Sequence, residues 1–254
     1  MPAAILPRLE TLAAQVGQEI MRLHDTGVTA KTKPDGSPVT EVDQMAEDII
    51  VSLLNQLTPE VPVVAEERYS NSKGFRPDVS AGRFWLVDAL DGTREFLASG
   101  RDFTVNIGLI ENNMPLLGVI HHPADQLTYV AAGPGTAEKI YPNGQRTAIT
   151  ARRPDSGLRL VSSKSFGSEI QLAKFLAGRE IREHRRRASS IKFCEVAEGR
   201  ADLYPRFGPS CEWDTAAGHA IVTGAGGSVT TSVGFPLLYG KTDFLNSDFV
   251  VRGL

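Results

Sequence analysis

The sequence predicts a protein of the mixed α/β class. Residues 5–26 and 42–54 repeat apolar residues with the spacing of amphipathic helices. Residues 84–87 form a continuous apolar run, and the apolar stretches 103–110 and 115–120 are separated by a turn that contains two asparagines. The first of these features indicates a buried strand and the second an antiparallel hairpin. The 254 residues suffice for one large domain or two small ones with a sizeable core.

Composition and charge exclude several classes of protein. A hydrophobic content of 41% with 22% charged residues is ordinary for a soluble globular chain. A net charge of −3 and the absence of an aromatic stacking series argue against a nucleic-acid partner. We expect no transmembrane segment and no signal peptide, because no apolar run is long enough and residues 1–10 lack the pattern. Cys194 and Cys211 lack metal-binding spacing, so we expect reduced thiols in a cytoplasmic protein.

The first helix should end at Gly27, and a polar segment follows at residues 31–38. This segment is either a connector or a mobile flap over a site, and its composition favours the connector. Thr40 is a plausible N-cap of the second helix, and Asp43 lies three residues further on, as in a capping box. The alternative for Asp43 is an acid directed at a site from the start of a helix. The local sequence alone favours the cap.

Acidic residues follow two of the predicted strands. Residues 61–65 form a short strand that ends at Glu66 and Glu67, and the apolar run 84–87 ends at Asp88 and Asp91. Gly92 permits a tight turn before a short helical pattern. Carboxylates suit hard cations such as Mg²⁺, and helix N-termini suit phosphate groups. The sequence therefore predicts a metal-assisted phosphate site at this turn.

Further strands and helices alternate along the rest of the chain, at residues 127–132, 139–141, 158–161, 169–176, 189–199 and 201–207. The hydroxyls and lysine at residues 162–165 can bind phosphate or sugar, or can cap the helix that follows. The arginines between Arg182 and Arg187 indicate a solvated face, with attraction of a polyanion as the alternative. Asp214 is a suitable N-cap for a helix of small residues that ends near Gly224.

Three motifs, taken in order, resemble those of the inositol monophosphatase superfamily, a group of lithium-sensitive and magnesium-dependent phosphatases. They are Glu66-Glu67, Asp88-Ala89-Leu90-Asp91-Gly92-Thr93 and Trp213-Asp214-Thr215-Ala216-Ala217-Gly218. Within the superfamily, four further stretches are similar to the bacterial 3′(2′),5′-bisphosphate nucleotidases, namely residues 35–40, 103–107, 192–199 and 203–209. The resemblance covers nearly the whole chain.

The resemblance implies the layered α/β/α/β/α sandwich of inositol monophosphatases and fructose-1,6-bisphosphatases. An N-terminal α+β half, residues 1–140, would carry most of the metal ligands. A C-terminal α/β half, residues 141–254, would carry the substrate pocket and the last ligand. The active site would then lie between the halves.

The resemblance also implies individual roles. Two or three Mg²⁺ ions would be held by four side chains and one main-chain carbonyl, from Glu66, Asp88, Leu90, Asp91 and Asp214. Asp43 and Thr93 would hold the attacking water, a role that can coexist with the cap. The backbone of Gly92 and Thr93 would bind the reacting phosphate. The implied substrate contacts are Ser162, Lys164, Ser189, Lys192, Arg206 and Asp214, and the first five of them could equally be surface groups.

The implied reaction converts adenosine 3′,5′-bisphosphate to AMP and phosphate, which would link the protein to sulfur assimilation. The partner would be this small nucleotide, and peripheral association with the inner membrane is a further family property. An inositol or sugar phosphatase of the same superfamily is the alternative, and the 192–206 region favours the nucleotide. A non-catalytic scaffold is a second alternative, disfavoured because every acidic ligand is present. The family usually has proline where this chain has Ala89, so we expect at most weaker metal affinity.

Overall fold

The computed structural model describes residues 2–24, 26–33, 36–71, 76–165 and 167–254. The helices in this part of the chain are α1 (Pro2–His24), α2 (Glu41–Leu57), α3 (Glu66–Asn71), α4 (Thr93–Leu97), α5 (Glu169–Leu176), α6 (Ile191–Ala197) and α7 (Ala216–Gly224), with a 3₁₀ turn at Pro123–Asp125. The strands are β1 (Lys31–Thr32), β2 (Pro38–Val39), β3 (Val63–Ala65), β4 (Arg83–Asp91), β5 (Thr104–Glu111), β6 (Met114–His122), β7 (Leu127–Ala131), β8 (Glu138–Ile140), β9 (Arg146–Ala148), β10 (Leu158–Ser163), β11 (Ile181–Arg187), β12 (Leu203–Arg206), β13 (Ser228–Thr231) and β14 (Phe249–Arg252).

The elements stack in five layers: α1 and α2, a seven-stranded sheet, α6 and α7, a five-stranded sheet, and α5. This arrangement confirms the predicted α/β/α/β/α class. The first sheet has the order β3-β4-β5-β6-β7-β8-β9 and is antiparallel except for the parallel pair β3 and β4. The second sheet has the order β11-β10-β12-β14-β13. None of the helices described here is long and apolar enough to cross a membrane.

Strand β4 explains why the apolar run is continuous rather than alternating. Phe84 and Leu86 are buried in the core shared with α6, α7 and the second sheet, whereas Trp85 and Val87 are buried in the core under α1 and α2. Successive side chains of a strand point to opposite faces, so a strand covered on both faces must be apolar at every position. The strand thereby reaches the middle of the molecule before its acidic end.

The middle layer lies very close to the first sheet. Gly108 of β5 and Gly118 of β6 face the small residues Ala216 and Ala217 at the start of α7. A Cβ atom at Gly118 would lie 2.3 Å from the carbonyl oxygen of Ala217, so no larger residue fits without movement. The small residues of α7 therefore allow the close packing that the sequence predicts, and they bring Asp214, just before the helix, toward the end of β4.

Two local predictions are wrong, and one strand was not predicted. Part of the polar segment at residues 31–38 forms the antiparallel pair β1 and β2 rather than a plain connector, and its residues Pro34 and Asp35 lie outside the described residues. Asp214 does not cap α7, because the helix begins at Ala216 and its N-cap position is Thr215. Strand β9 has no counterpart in the prediction.

The arginine-rich run forms β11, an edge strand whose residues are exposed or half-buried, which agrees with the solvated face that the sequence indicates. Its side chains are engaged within the protein: Arg186 pairs with Glu169, and Arg187 pairs with Asp102 and Glu195. The predicted helices, the hairpin at Asn112 and the ends of α1 and α7 otherwise agree with the structure within a few residues.

Candidate metal and phosphate site

The site is built on a bulge at the end of β4. Asp88 pairs with Asn106 and Asp91 pairs with Thr104, so three residue steps on β4 oppose two on β5. A bulge of this kind bends the strand and redirects its side chains. Gly92 follows with φ of 100°, and a Cβ atom there would lie 2.8 Å from the carbonyl oxygen of Asp102. Only glycine suits this turn, which starts α4 at Thr93.

Three carboxylates from separate elements converge at this bulge. One oxygen each of Glu66, Asp88 and Asp214 lies within 4.8 Å of the other two. Glu66 starts α3, and the Asp214 carboxylate is fixed by the backbone N–H of Cys211, which donates to its Oδ2 atom at 2.8 Å. Clustered carboxylate oxygens are the donor set of a hard divalent cation, so these residues fit the metal that the sequence predicts.

Burial and mutual repulsion make it energetically unfavourable for all of these carboxylates to be ionised without a bound cation. Burial raises the pKa of Asp88 well above its usual range, and the neighbouring charges of Glu66, Asp91 and Asp214 add to the effect. Burial, followed by the charges of Asp91 and Glu66, raises the pKa of Asp214 to about 8. Burial also raises the pKa of Asp91, although Lys192 and Asn106 oppose the shift. Such a cluster favours protons or a cation over bare charge.

Lys33 supplies a positive charge next to the cluster. Its ammonium group donates to Glu66 Oε1 at 2.6 Å and to Glu67 Oε1 at 2.5 Å. Burial by itself would lower the pKa of Lys33, but the two glutamates more than offset this and raise it. The sequence analysis missed Lys33, because nothing in a polar loop indicates which acids it will meet.

Glu47 of α2 is a second residue that the sequence analysis missed. Its carboxylate accepts from the backbone N–H groups of Glu67 at 2.6 Å and Arg68 at 3.0 Å, in the first turn of α3. These bonds satisfy amides that a helix start leaves without partners. Glu47 therefore fixes the helix that carries Glu66.

Asp43 has both of the roles that the sequence left open. Its Oδ2 atom accepts from the backbone N–H of Thr40 at 2.7 Å, which completes the capping box of α2. Its Oδ1 atom accepts from the hydroxyl of Thr93 at 2.9 Å. Burial raises the pKa of Asp43, and the hydrogen bonds from Thr40 and Thr93 act against that shift.

A chain of polar side chains orients Asp91. The side-chain amide of Asn106 donates to Asp91 Oδ2 at 3.3 Å, and Ser190 donates to the Asn106 carbonyl oxygen at 2.7 Å. The Ser190 hydroxyl also shares a hydrogen bond of 2.8 Å with Thr104. Thr104 and Asn106 lie on one face of β5, two residues apart. The alternation of side chains along β5 could have indicated that Thr104 and Asn106 share a face. It could not indicate that their partner is Ser190, just before α6.

A pocket of about 700 Å³ opens over the cluster. The predicted site residues that line it are Glu66, Asp88, Leu90, Asp91, Gly92, Thr93, Ser189, Lys192, Arg206 and Asp214. Its wall therefore holds both carboxylates and cations. Lys192 and Arg206 are almost fully buried, at 4% and 9% exposed, and the ammonium of Lys192 lies 5.3 Å from the ring centre of Tyr204. Burial lowers the pKa of Lys192 to about 8, against the attraction of Asp91.

Ser162 and Lys164 lie beside this pocket rather than in its lining. Both line a neighbouring pocket of about 100 Å³ that shares Ser163 and Ser165 with the larger one. The Ser162 hydroxyl is hydrogen-bonded to His184 at 2.7 Å, and the Lys164 ammonium lies 3.0 Å from Glu95 Oε2. As substrate contacts they stay predictions.

Comparisons with known proteins found related sequences and a related structure. A sequence model of the inositol monophosphatase family matches residues 3–251. The 3′(2′),5′-bisphosphate nucleotidase CysQ of Escherichia coli K12 is 40% identical over 253 residues, which cover 97% of this chain and 99% of that protein. CysQ of Buchnera aphidicola is 39% identical over 255 residues, 98% of this chain and 94% of that protein. The solved structure of CysQ from Bacteroides thetaiotaomicron, described as a bacterial member of the inositol monophosphatase family, has a TM-score of 0.81 at 32% identity and covers 100% of this chain and 98% of its own.

Proposed function

This chain belongs to the inositol monophosphatase family, and we propose that it hydrolyses adenosine 3′,5′-bisphosphate to AMP and phosphate with Mg²⁺. The family prediction from the sequence motifs is thereby confirmed. The observation that carries the proposal is the lining of the large pocket, which combines an acidic cluster with the buried cations Lys192 and Arg206. The relatives named as 3′(2′),5′-bisphosphate nucleotidases support the choice of substrate, whereas a place in cytoplasmic sulfur assimilation stays a prediction from the family resemblance.

The acidic end of the pocket would hold two or three Mg²⁺ ions. The side chains of Glu66, Asp88 and Asp214 form one group of ligands, and Asp91 with the Leu90 carbonyl would complete the set. When bound, Mg²⁺ would withdraw negative charge from the phosphate and the leaving oxygen and would acidify a coordinated water. The raised pKa values of Asp88, Asp91 and Asp214 fit this assignment, because a cation relieves the repulsion that raises them.

Thr93 and Asp43 would orient the attacking water. The Thr93 hydroxyl donates to Asp43 Oδ1 at 2.9 Å and lies 3.2 Å from the Leu90 carbonyl oxygen, so its proton is committed within the protein. The lone pairs of Thr93 Oγ1 are left to accept a hydrogen bond from the water, and Asp43, which accepts the Thr93 proton, would make that oxygen a stronger acceptor. This arrangement uses water directly and requires no serine or cysteine nucleophile.

The reacting phosphate would lie at the turn before α4. The first backbone N–H groups of a helix have no partner within the helix and attract anions. Gly92 and Thr93 supply these groups beside Asp91, and both residues line the pocket. Phosphoryl transfer depends mostly on positioning and charge stabilisation, which this turn and the acidic end would provide together.

The second phosphate would lie at the cationic wall. Lys192 and Arg206 are the residues that suit a phosphate that is not cleaved, with Ser189 beside them. A bound dianion would favour the charged form of Lys192, against the burial that lowers its pKa to about 8. Tyr69, Trp213 and Leu245 add apolar lining, and a pocket of about 700 Å³ is within the range for a ligand of nucleotide size.

Phosphate release from a matched panel tests the proposal. The substrates are adenosine 3′,5′-bisphosphate, inositol 1-phosphate and fructose 1,6-bisphosphate, each with and without Mg²⁺. We expect Mg²⁺-dependent release with a clear preference for the nucleotide, and near-complete loss in Asp91→Asn, which removes a proposed ligand charge. Asp48→Asn, an exposed acid on α2, is the matched control.

Three other results would change the assignment. Preference for inositol phosphate would keep the acidic end and overturn the nucleotide specificity of the cationic wall. Wild-type rates in Asp91→Asn would overturn the metal site itself. Release from none of the three substrates would favour a scaffold function instead.

A further inference from the structure

We propose that Asp102 is a positioning residue that holds the segment 188–192 against the metal-binding half, and so sets how tightly the second phosphate is bound. The proposal deepens the proposed function and rests on it for the identity of the ligand. Asp102 does not line the large pocket, so it would act through other residues and not by touching the substrate.

The Asp102 side chain receives three donors, and all of them come from the C-terminal half. Lys164 Nζ lies 3.0 Å from its Oδ2 atom, Arg187 Nη1 lies 3.0 Å from its Oδ1 atom, and the backbone N–H of Ala188 donates to Oδ2 at 3.2 Å. The Asp102 side chain is only 5% exposed, whereas its partners Lys164 and Arg187 are 38% and 30% exposed, so the carboxylate end of each ion pair is the buried one. Burial would raise the pKa of Asp102, but Lys164, Ala188 and Arg187 together lower it, and the group stays charged.

The backbone of Asp102 lies on the metal-binding half. Its carbonyl oxygen packs directly on Gly92, since a Cβ atom at that glycine would lie 2.8 Å away from it. Asp102 is two residues before Thr104, which begins β5 next to Asp91. One residue thus contacts the turn at Gly92 through its backbone and the start of the segment 188–192 through its carboxylate.

The segment 188–192 needs such an anchor. Ser189 has φ of 51°, in the left-handed region that residues other than glycine adopt rarely. The Lys192 ammonium donates to the Ser189 carbonyl oxygen, so the position of Ser189 determines that of the cation. Asp102 fixes the residue before Ser189, and Thr104 fixes the residue after it through the Ser190 hydroxyl. Loss of the Asp102 contact would therefore let Ser189 and Lys192 shift relative to Asp91.

Asp102→Asn is the test variant, because it keeps the shape but removes the charge that Lys164 and Arg187 share. Glu169→Gln is the matched control, since it breaks the exposed ion pair with Arg186 on the same strand, β11, without touching the segment. For adenosine 3′,5′-bisphosphate we expect KM to rise about 10- to 100-fold in Asp102→Asn, as small misplacements of binding groups can cost that much. For 3′-AMP, which lacks the second phosphate, we expect little change in KM or kcat.

A double variant separates positioning from a general loss of structure. If Asp102 acts through the segment, adding Asp102→Asn to Lys192→Met should raise KM little further, because the cation is already absent. Fully additive effects, or equal losses on both substrates, would overturn the proposal.

Amide hydrogen exchange tests whether Asp102 holds the segment 188–192, and it does so without any substrate. Residues 188–192 should exchange faster in Asp102→Asn than in the wild type or in Glu169→Gln. Unchanged exchange would overturn the positioning role of Asp102 even if the nucleotide is the substrate. If exchange becomes faster as expected but the wild type shows no preference for the nucleotide, Asp102 does hold the segment and the substrate assignment is wrong.

Discussion

The Thr93 hydroxyl donates a hydrogen bond to Asp43 across 2.9 Å, although fifty residues separate the two in the chain. This bond joins the start of α2 to the turn after β4. The other oxygen of the same carboxylate accepts from the backbone and the hydroxyl of Thr40, at 2.7 and 2.6 Å. One side chain therefore couples the stability of a helix to the orientation of a candidate catalytic hydroxyl.

Thr93→Val should separate these two roles. The variant keeps the shape of the side chain and removes the hydroxyl that would orient water, so we expect kcat to fall about 10²–10⁴-fold. The melting temperature should change little, because the capping box of α2 stays intact. Thr40→Ala is the matched control: it should cost about 1 kcal/mol of unfolding free energy and leave most of the activity. Comparable activity in both variants would exclude the assigned role of Thr93.

Metal binding should release protons. Burial and the charges of Asp91 and Glu66 raise the pKa of Asp214 to about 8, so the metal-free protein carries a proton there at neutral pH. Mg²⁺ must displace it, and its apparent affinity should rise as the pH rises toward about 8. Calorimetric titration in two buffers of different ionisation enthalpy measures the released protons. A pH-independent affinity without proton release would contradict the assignment of Asp214 as a ligand.

The raised pKa of Asp214 also predicts how the stability of the metal-free protein depends on pH. The native state binds a proton at Asp214 between its ordinary pKa of 3.8 and about 8, where the unfolded chain does not. The metal-free protein should therefore lose stability as the pH rises through this range, and the loss should be complete above about 8. Urea unfolding at several pH values, with EDTA or with Mg²⁺, checks this. Mg²⁺ should flatten or reverse the trend, since it binds only the folded site.

Lys33 should oppose the metal while it stabilises the empty site. Its ammonium lies 2.6 Å from Glu66 Oε1, so it repels a cation bound by Glu66. Lys33→Met should tighten Mg²⁺ binding and should destabilise the metal-free protein by about 3–5 kcal/mol, because Glu66 and Glu67 lose their partner. Lys31→Met changes an exposed lysine of β1 and should do neither. Weaker Mg²⁺ binding in Lys33→Met would show that the lysine supports the metal instead.

The sequence was sufficient to locate the acidic end of the site, because the apolar strand and the acids that follow it are contiguous. The sequence did not indicate which residues form hydrogen bonds and ion pairs around those acids. Lys33 meets Glu66 across thirty-three residues, and the Ser190 hydroxyl meets Asn106 across eighty-four. Such pairs depend on how the layers stack, and local pattern carries no information on that. The role of Asp214 as an N-cap was wrong for a related reason: its carboxylate is engaged by the Cys211 N–H, one turn earlier.

For the fold as well, the sequence predicts local features but not the contacts between distant segments. Elements with a strong period, such as α1, α2 and the β5–β6 hairpin, follow from the sequence because their burial pattern is local. For β11, the run of arginines indicates the solvent exposure that the structure shows, but it does not indicate that the run forms an edge strand. The acids that pair with Arg187, namely Asp102 and Glu195, come from elsewhere in the chain.

Close packing of α7 on the first sheet should make its glycines sensitive to enlargement. In Gly118→Ala the new Cβ atom would lie 2.3 Å from the Ala217 carbonyl oxygen, and in Gly108→Ala it would lie 2.8 Å from the Ala216 Cβ. We expect each to lower the unfolding free energy by about 1–3 kcal/mol, with the larger loss for Gly118→Ala. Denaturant unfolding measures both. Equal or negligible losses would mean that α7 moves away from the sheet freely.

Ala89 stands where the resemblance to the family leads us to expect proline. It lies in the bulge, where the register with β5 shifts between Asp88 and Asp91 and no residue is paired directly with it. Proline is tolerated at bulges because it cannot donate to a sheet, and it would restrict the backbone between the two acids.

Ala89→Pro should therefore lower the Mg²⁺ concentration that gives half-maximal phosphate release, because the ligands lose less freedom when the metal binds. It should also stabilise the fold by about 0.4–1 kcal/mol through the unfolded chain. Ala89→Gly is the matched control and should shift both quantities in the opposite direction, since glycine loosens the same backbone. If proline weakens Mg²⁺ binding while glycine leaves it unchanged, the prediction is wrong. The backbone geometry with alanine would then already suit the metal, and the absence of proline would not weaken metal binding.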